Sequence, residues 1–375
     1  MIKRVFLFLL LASHVVYGDF QYTLNNTNFT ISQKEYTYNY DRFRFNGDYT
    51  HDNYFFTFIG DGVNYLGSEY VNSQSFKYFK TLKSDTTFKT QSDFNDYNNG
   101  SFYTKLYRLY GGYEDGKNRV VVGLQNITMG VGRIWTPTNL FNPKNIYALE
   151  ADEVFGVTAL SYTRYLDDTS HVRVVASQKS DDSFKYALRY KAYLDFADFG
   201  LNLITSDTTK MIGYEIEGNL ADSGVEVRSE GAYIKHTLNM LTQKEDREFF
   251  QAIIGADYGF VNGVSVIGEA LYSSEKFSTN EMLLNLDSEI LSNLVNSNFY
   301  TALSISYSFN IFLDGSLIYI ESFNDKNSRF LSPTFTYTLN DYNTFVIGAQ
   351  LAYGKSGSEF DMLEDTYYFK WSLSF

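Results

Sequence analysis

Along the last strand-length of the chain, Tyr367, Phe369, Trp371, Leu373 and Phe375 fall on one face of an extended segment, and Tyr368, Lys370, Ser372 and Ser374 on the other. A face made wholly of large apolar and aromatic side chains must be covered by something apolar. The same period of two runs through Phe299, Thr301, Leu303, Ile305, Tyr307 and Phe309, and through Phe345, Ile347, Ala349, Leu351 and Tyr353. It recurs at Phe184, Tyr186, Leu188 and Tyr190, opposite Lys185, Ala187, Arg189 and Lys191, and at Ile212, Tyr214 and Ile216, opposite Gly213, Glu215 and Glu217. Two architectures accept such strands. A soluble sandwich turns its greasy faces on each other, whereas a membrane barrel turns them to lipid and encloses the small and charged ones around water.

The connections favour the barrel. Those near 354–365, 322–329, 274–297, 237–247 and 126–152 are long, and those near 340–342, 309–311, 259–263, 219–223 and 193–196 are tight. Alternation of long external loops with short periplasmic turns is the outer-membrane pattern. The periodicity predicts strands at 36–46, 52–60, 67–80, 100–110, 117–125, 154–165, 170–178, 183–193 and 196–205. It continues with 210–219, 223–236, 247–259, 263–273, 298–309, 312–322, 330–339, 343–353 and 366–375. The expectation is an all-β chain forming a single antiparallel transmembrane barrel of about eighteen strands, with sixteen if 67–80 is not one of them. In hydrocarbon no backbone group can stay unpaired, so the first strand must close on the last.

At the other terminus, Lys3 and Arg4 precede an apolar run from Val5 to Leu11 and small residues up to Gly18. This reads as a signal peptide over 1–18, with the barrel over 19–375 and residues 19–33 as a periplasmic segment before it. Composition narrows the function. Lys and Arg total 31 against 44 Asp and Glu, giving a net charge of −13, so nucleic acid is not an expected partner. With no Cys there is no disulfide, thiolate metal site or cysteine nucleophile. The 33 Tyr and 33 Phe are too much aromatic surface for a disordered chain, although mean hydropathy is −0.27.

The strand ending in Phe375, with Tyr367, Phe369, Trp371 and Leu373 at alternate positions, resembles the C-terminal signal by which Gram-negative outer-membrane proteins are recognised for barrel assembly. A second segment runs Gly123-Leu-Gln-Asn-Ile-Thr-Met-Gly-Val-Gly-Arg-Ile-Trp135-Thr-Pro-Thr-Asn-Leu-Phe-Asn-Pro143. It is similar to the pattern G-R-Q, spacer, W-G-x-G-R, then W-x-P-T-D-x-F-N-P of a group of porin-like barrels. It departs from that pattern at Leu124, Met129 and Asn139. The resemblance implies a channel-like outer-membrane barrel and names no substrate.

Two of the three prolines, Pro137 and Pro143, lie in that segment beside Trp135 and Phe141, so it cannot be a central strand. The spacing predicts a long external loop, 126–152, that either folds into the mouth as a constriction carrying Arg133, Trp135, Pro137, Phe141 and Pro143, or caps the rim. Pore-lining charges are expected on the polar strand faces. Glu215, Glu217, Glu226, Arg228 and Glu230 form an acidic patch, with Glu215 opposite Arg228 and Glu217 opposite Glu226 if the hairpin centres between Ala221 and Asp222. Arg173, Lys185, Arg189 and Lys191 form a basic row, which Arg42 and Arg44 extend, and Lys370 adds a further lumenal charge. Facing rows of opposite sign would set a transverse field, with a mild cation preference from the acid count. The other reading is that these charges merely brace the wall. Leu283, Leu286, Ile290 and Leu294 predict a short amphipathic helix within 281–296.

Catalysis needs a general base beside a nucleophile. Past the leader the histidines are His51, His171 and His236; the predicted topology puts His51 and His236 at the external rim and His171 at the periplasmic end. No nucleophile-elbow, zinc or phosphate-loop motif accompanies them, so no enzyme, metal or cofactor is expected. The expected function is a passive pore for small hydrophilic solutes or ions. The alternative is a non-conducting barrel that binds, scaffolds or attaches. Expected partners are outer-membrane lipid and lipopolysaccharide, the barrel assembly machinery and further copies in a homotrimer.

Overall fold

Each strand of the chain pairs with its sequence neighbour, which is what short antiparallel connections dictate. The computed structural model describes residues 18–82, 84–323, 326–361 and 363–375, so all of the expected signal peptide except Gly18 lies outside the described residues. The strands are β1 (Asp19–Ser32), β2 (Thr37–His51), β3 (Tyr54–Leu66), β4 (Asn95–Tyr97), β5 (Gly100–Glu114), β6 (Asn118–Gln125) and β7 (Val157–Tyr165). There follow β8 (His171–Gln178), β9 (Phe184–Tyr193), β10 (Asp198–Thr205), β11 (Thr209–Asn219), β12 (Glu226–Asn239) and β13 (Lys244–Gly259). The last are β14 (Val264–Ser273), β15 (Phe299–Ser308), β16 (Leu313–Ser322), β17 (Ser328–Asn340), β18 (Asn343–Tyr353) and β19 (Thr366–Ser374). The short β4 pairs only with β5, and β1 pairs with both β2 and β19, so eighteen strands close a ring.

The expected number holds, but two of its members change places. Residues 19–33, expected to precede the barrel, form β1, whose register with β19 sets Asn28 against Trp371 and Ile31 against Tyr368. Residues 67–80, expected to be a strand, form two short helices, α1 (Ser68–Val71) and α2 (Gln74–Phe79). Ser73 caps α2 by accepting from the Phe76 N–H at 3.1 Å. Tyr70, Phe76 and Phe79 recur at near-helical spacing and pack inward on Tyr38, Tyr65 and Tyr103, where a strand would have sent alternate rings outward.

This exchange reverses the direction of the strands next to it. His51 therefore ends β2 at the short-turn end, not at the rim of long loops. His171 lies at that same end and His236 near the long-loop end.

Outward positions are apolar around most of the wall: Ile212 is 55% exposed, Ile254 68% and Ile347 61%, with Tyr186, Leu188, Phe369 and Trp371 beside them. Apolar exposure on this scale exceeds any patch a water-solvated monomer carries, so acyl chains are its solvent. Inward positions hold two kinds of residue. One is the charged set described below; the other is an apolar cluster in which Ile127, Met129, Leu140 and Phe141 pack on Ile234, Leu238, Phe249, Phe277, Ile290 and Leu294. Two long connections therefore turn into the ring. Within 274–298 the expected amphipathic helix is reduced to α3 (Thr279–Leu284) and a 3-10 turn at Leu291–Asn293, and Ile290 and Leu294 are buried against the wall.

Candidate permeation site

The connection after β6 crosses the lumen and is tied to the wall at both ends. Its first half presents backbone N–H groups to carboxylates. Gly130 donates to Glu215 at 2.8 Å, and Val131 and Gly132 to one oxygen of Glu230 at 2.8 and 3.0 Å. Arg133, Ile134 and Trp135 donate to Glu269 at 2.9, 3.2 and 2.7 Å. The Thr138 N–H and hydroxyl both reach Glu230. Six consecutive peptide groups are thus satisfied by three wall side chains, in place of the ladder that prolines and turns deny them.

Glycine makes the wrap sterically possible. A Cβ on Gly130, whose φ is +92°, would lie 2.5 Å from the Glu230 carboxylate, and one on Gly132 would lie 1.7 Å from the Trp135 carbonyl oxygen.

The far end of the loop reverses the polarity. Glu150 receives both terminal nitrogens of Arg42, at 2.9 and 3.1 Å, and Lys370 at 3.1 Å. Glu153 receives both terminal nitrogens of Arg44, at 2.9 and 2.8 Å, while Asp61 accepts from the same guanidinium. Burial pushes the Glu153 carboxyl up, but the guanidiniums of Arg44 and Arg42 outweigh it and hold the group below its ordinary value. Between the two ends, Phe141 sits in the apolar cluster with the Lys185 ammonium 4.8 Å above its ring. Pro137 offers its carbonyl to Asn293 of the second inward loop at 3.0 Å. Pro143 and Trp135 line a cavity of 340 Å³ between the two loops.

The expected charges all lie on the inner faces, but their partners differ from those anticipated. The hairpin after β11 turns through a 3-10 segment at Ala221–Ser223 followed by Gly224 with φ +72°, closed by the Leu220 N–H on the Val225 carbonyl. This longer turn moves the register by two residues. Glu215 faces Glu230, and Glu217 faces Arg228, instead of the expected Glu215 with Arg228 and Glu217 with Glu226. A shift of two keeps every side chain on its face. Two like charges then stand directly opposed at Glu215 and Glu230, and both are occupied by the loop.

The rows do not face one another across the lumen either. The Arg189 guanidinium is ion-paired with Glu215 two strands away, Lys185 with Glu289 at 3.0 Å and Lys191 with Asp198 at 2.6 Å. Arg133 bridges Glu217, Glu226 and Asp257 at 2.9, 2.6 and 3.3 Å, and Arg228 also pairs with Asp257. Three cations on β5 and β8 stand outside these pairs. A bulge in β5 after Leu106 breaks the register with β3, and Arg108 lies buried beside Tyr107, its guanidinium 3.9 Å from that ring. Lys105 lies over the rings of Tyr107 and Phe155, and the buried Nε of Arg173 has no hydrogen-bond partner. Among the described residues, none of Lys105, Arg108 and Arg173 forms a salt bridge.

Several of these residues escaped the sequence: Glu269, Asp257, Asp61, Lys105, Arg108, Glu150 and Glu153. Glu269 had a signal, because it shares the inner face of β14 with Leu271 and Ile267, where an acid has no reason to be unless it holds something. The departures from the porin-like pattern are also explained locally. Leu124 and Met129 are buried at 1% exposure, and Asn139 exchanges hydrogen bonds with Asn142. These are packing and turn positions.

His236 is held between the Thr209 hydroxyl at 2.7 Å and the Ser288 hydroxyl at 3.0 Å, fastening the second loop to the wall. Glu289 beside it accepts from Ser206, Thr208 and Thr209.

No protein-family model matches the chain, and no curated protein does. Among solved structures it is similar to OccAB1 of Acinetobacter baumannii, at 9% identity and a TM-score of 0.61 over 96% of each chain. It is similar to the outer membrane protein opdK of Pseudomonas aeruginosa, at 9% identity and a TM-score of 0.61 over 95% of this chain and 99% of that one. A third structure, OpdK with vanillate, gives 10% identity and a TM-score of 0.59 over 95% and 98%. At such identities the likeness is one of fold, and the fold is that of an outer-membrane porin-like barrel.

Proposed function

We propose that this protein is a channel of the bacterial outer membrane, through which small hydrophilic solutes diffuse passively across an aperture set by loop 126–152. The observation that carries the reading is the two-ended tether: peptide N–H groups bound to Glu215, Glu230 and Glu269 on one wall, and Glu150 and Glu153 bound to Arg42, Arg44 and Lys370 on the other. A loop held this way is a fixed constriction and not a mobile lid, as a passive diffusion pore requires.

The charge balance points to anions. Three wall carboxylates are covered by the loop and three more are shared by Arg133 and Arg228, while Lys105, Arg108 and Arg173, on the wall formed by β5 to β8, form no salt bridge among the described residues and lend that wall a positive potential. This reverses the cation preference expected from the acid count. OpdK was solved with vanillate, an aromatic carboxylate, and cations free of salt bridges suit that class of solute. The resemblance of 123–143 to the porin-like pattern falls on the same loop.

Planar bilayers test the proposal. Discrete channels whose reversal potential in a KCl gradient favours chloride support it. Correctly folded protein that gives no channels supports the non-conducting alternative.

A further inference from the structure

We infer that the mouth of the barrel carries a binding site for a neutral saccharide, built on tyrosines and distinct from the charged aperture below. At the long-loop end, a cavity of 420 Å³ opens between the β1–β2 connection, helix α1, the 354–365 loop and the tip of loop 126–152. Tyr36, Tyr38, Tyr70 and Tyr147 line it. The rings of Tyr38 and Tyr70 are stacked at 3.6 Å and 5°, and Tyr36 meets Tyr70 edge-on at 5.9 Å. Because these rings lock one another, the platform is fixed before any solute arrives, and binding does not have to order it.

The polar groups around the platform are mostly acceptors with capacity to spare. Gln33 and Gln350 use their amide N–H groups on the Thr366 hydroxyl at 3.0 Å and the Tyr147 carbonyl at 3.1 Å. Their amide oxygens remain to accept. Glu35 and Glu364 stand exposed on separate connections, and among the described residues no Lys or Arg lines the cavity.

A pyranose fits this combination. Its axial C–H groups make an apolar face that lies on a tyrosine ring, and its equatorial hydroxyls donate to the Gln33 and Gln350 amide oxygens at the rim. An anion meets two carboxylates and no cation, so the site disfavours the solutes that the aperture favours. An organic cation would rely on Glu35 and Glu364, both hydrated and weakened by exposure. The cavity is of the size that holds one or two sugar rings.

The site is tested by binding rather than by current, so its outcome is independent of whether the barrel conducts. Folded full-length protein in detergent is titrated calorimetrically with cellobiose and, separately, with phenethylammonium chloride. Saturable cellobiose binding at about millimolar concentration, weakened tenfold or more in Tyr36→Ala with Tyr70→Ala and kept in Glu35→Gln with Glu364→Gln, supports the inference. The carboxamide pair also guards against misfolding, since it leaves the aromatic platform intact. No saturable cellobiose binding overturns the inference. So does a phenethylammonium affinity above that for cellobiose that disappears in the carboxamide pair.

Discussion

Thr138 gives both its backbone N–H and its hydroxyl to one carboxylate oxygen of Glu230, each at 2.7 Å. The other oxygen takes Val131 and Gly132, so a fully buried acid is surrounded by four donors from one loop. Charge-assisted bonds of this kind contribute on the order of 2 kcal/mol each, and they replace the solvation the carboxylate lost. The loop and the wall are therefore one unit, and Glu230, with four donors against three on Glu269 and one on Glu215, is its most heavily used anchor.

In Glu230→Gln two acceptor positions become an amide N–H₂ aimed at peptide donors, which weakens loop docking by about 3 kcal/mol or more. The barrel itself stays closed. Trypsin added to the folded protein is expected to leave the wild type intact and to cut the variant at Arg133; equal resistance in both would remove Glu230 from its anchoring role.

Selectivity gives a prediction of opposite sign to the one composition suggests. Because Glu215 is already paired with Arg189, Glu215→Gln with Glu217→Gln frees guanidinium charge and shifts the reversal potential further toward chloride. Lys105→Gln with Arg173→Gln shifts it back toward potassium, by two-fold or more in permeability ratio. Identical reversal potentials across the series would dismiss the basic wall as a selectivity element.

The second inward loop has a pH signature. Burial pushes the Glu289 carboxyl up, but Lys185 and the hydroxyls of Ser206 and Thr209 outweigh it and hold the group at about 2. A depressed folded value stabilises docking above the unfolded value of about 4.3, and this contribution declines as pH falls toward 2. The hydrogen-exchange protection of 285–295, taken relative to the intrinsic rate at each pH, should therefore stay high from pH 7 to 5 and fall between pH 4 and 2. In Glu289→Gln it should be low throughout, so a variant that keeps the wild-type profile would contradict the assignment.

Much of the wall was legible because each strand has one face toward lipid and one toward the lumen, which imposes a period of two over its whole length. The exceptions have local causes. The outer face of β1 carries Asn26, Asn28 and Thr30 instead of apolar residues, and Asn26 and Asn28 are bonded to Asn39 and Asp41 on β2. Its buried residues, Phe29 and Ile31, point into the lumen. The inverted pattern hid the strand. Residues 67–80 offered apolar side chains and were read as a strand, when Tyr70, Phe76 and Phe79 served an interior aromatic cluster. For the site, part of the charged set could be found but its partners could not, since the partners of Glu215 and Glu230 include peptide groups of a loop 85 or more residues away in sequence, and Glu269, missed itself, is bonded to one 136 residues away.

The two tryptophans report opposite environments. Trp371 lies on the outer face with its indole N–H on Asn343 at 3.0 Å, and Trp135 packs 6.0 Å from Tyr300 inside the ring. In vesicles of brominated lipid, a Trp135→Phe variant should lose most of its fluorescence, whereas Trp371→Phe should lose little. Equal quenching of the two would contradict the inside-out arrangement of the wall.

Single-channel conductance of Glu230→Gln with Glu269→Gln shows whether loop 126–152 sets the aperture, because the pair of substitutions releases the loop from these carboxylates while leaving the ring of strands unchanged. The expected conductance is several-fold above wild type, with flicker as the freed loop visits the lumen. A folded double variant that conducts as the wild type does would show that loop 126–152 does not set the aperture.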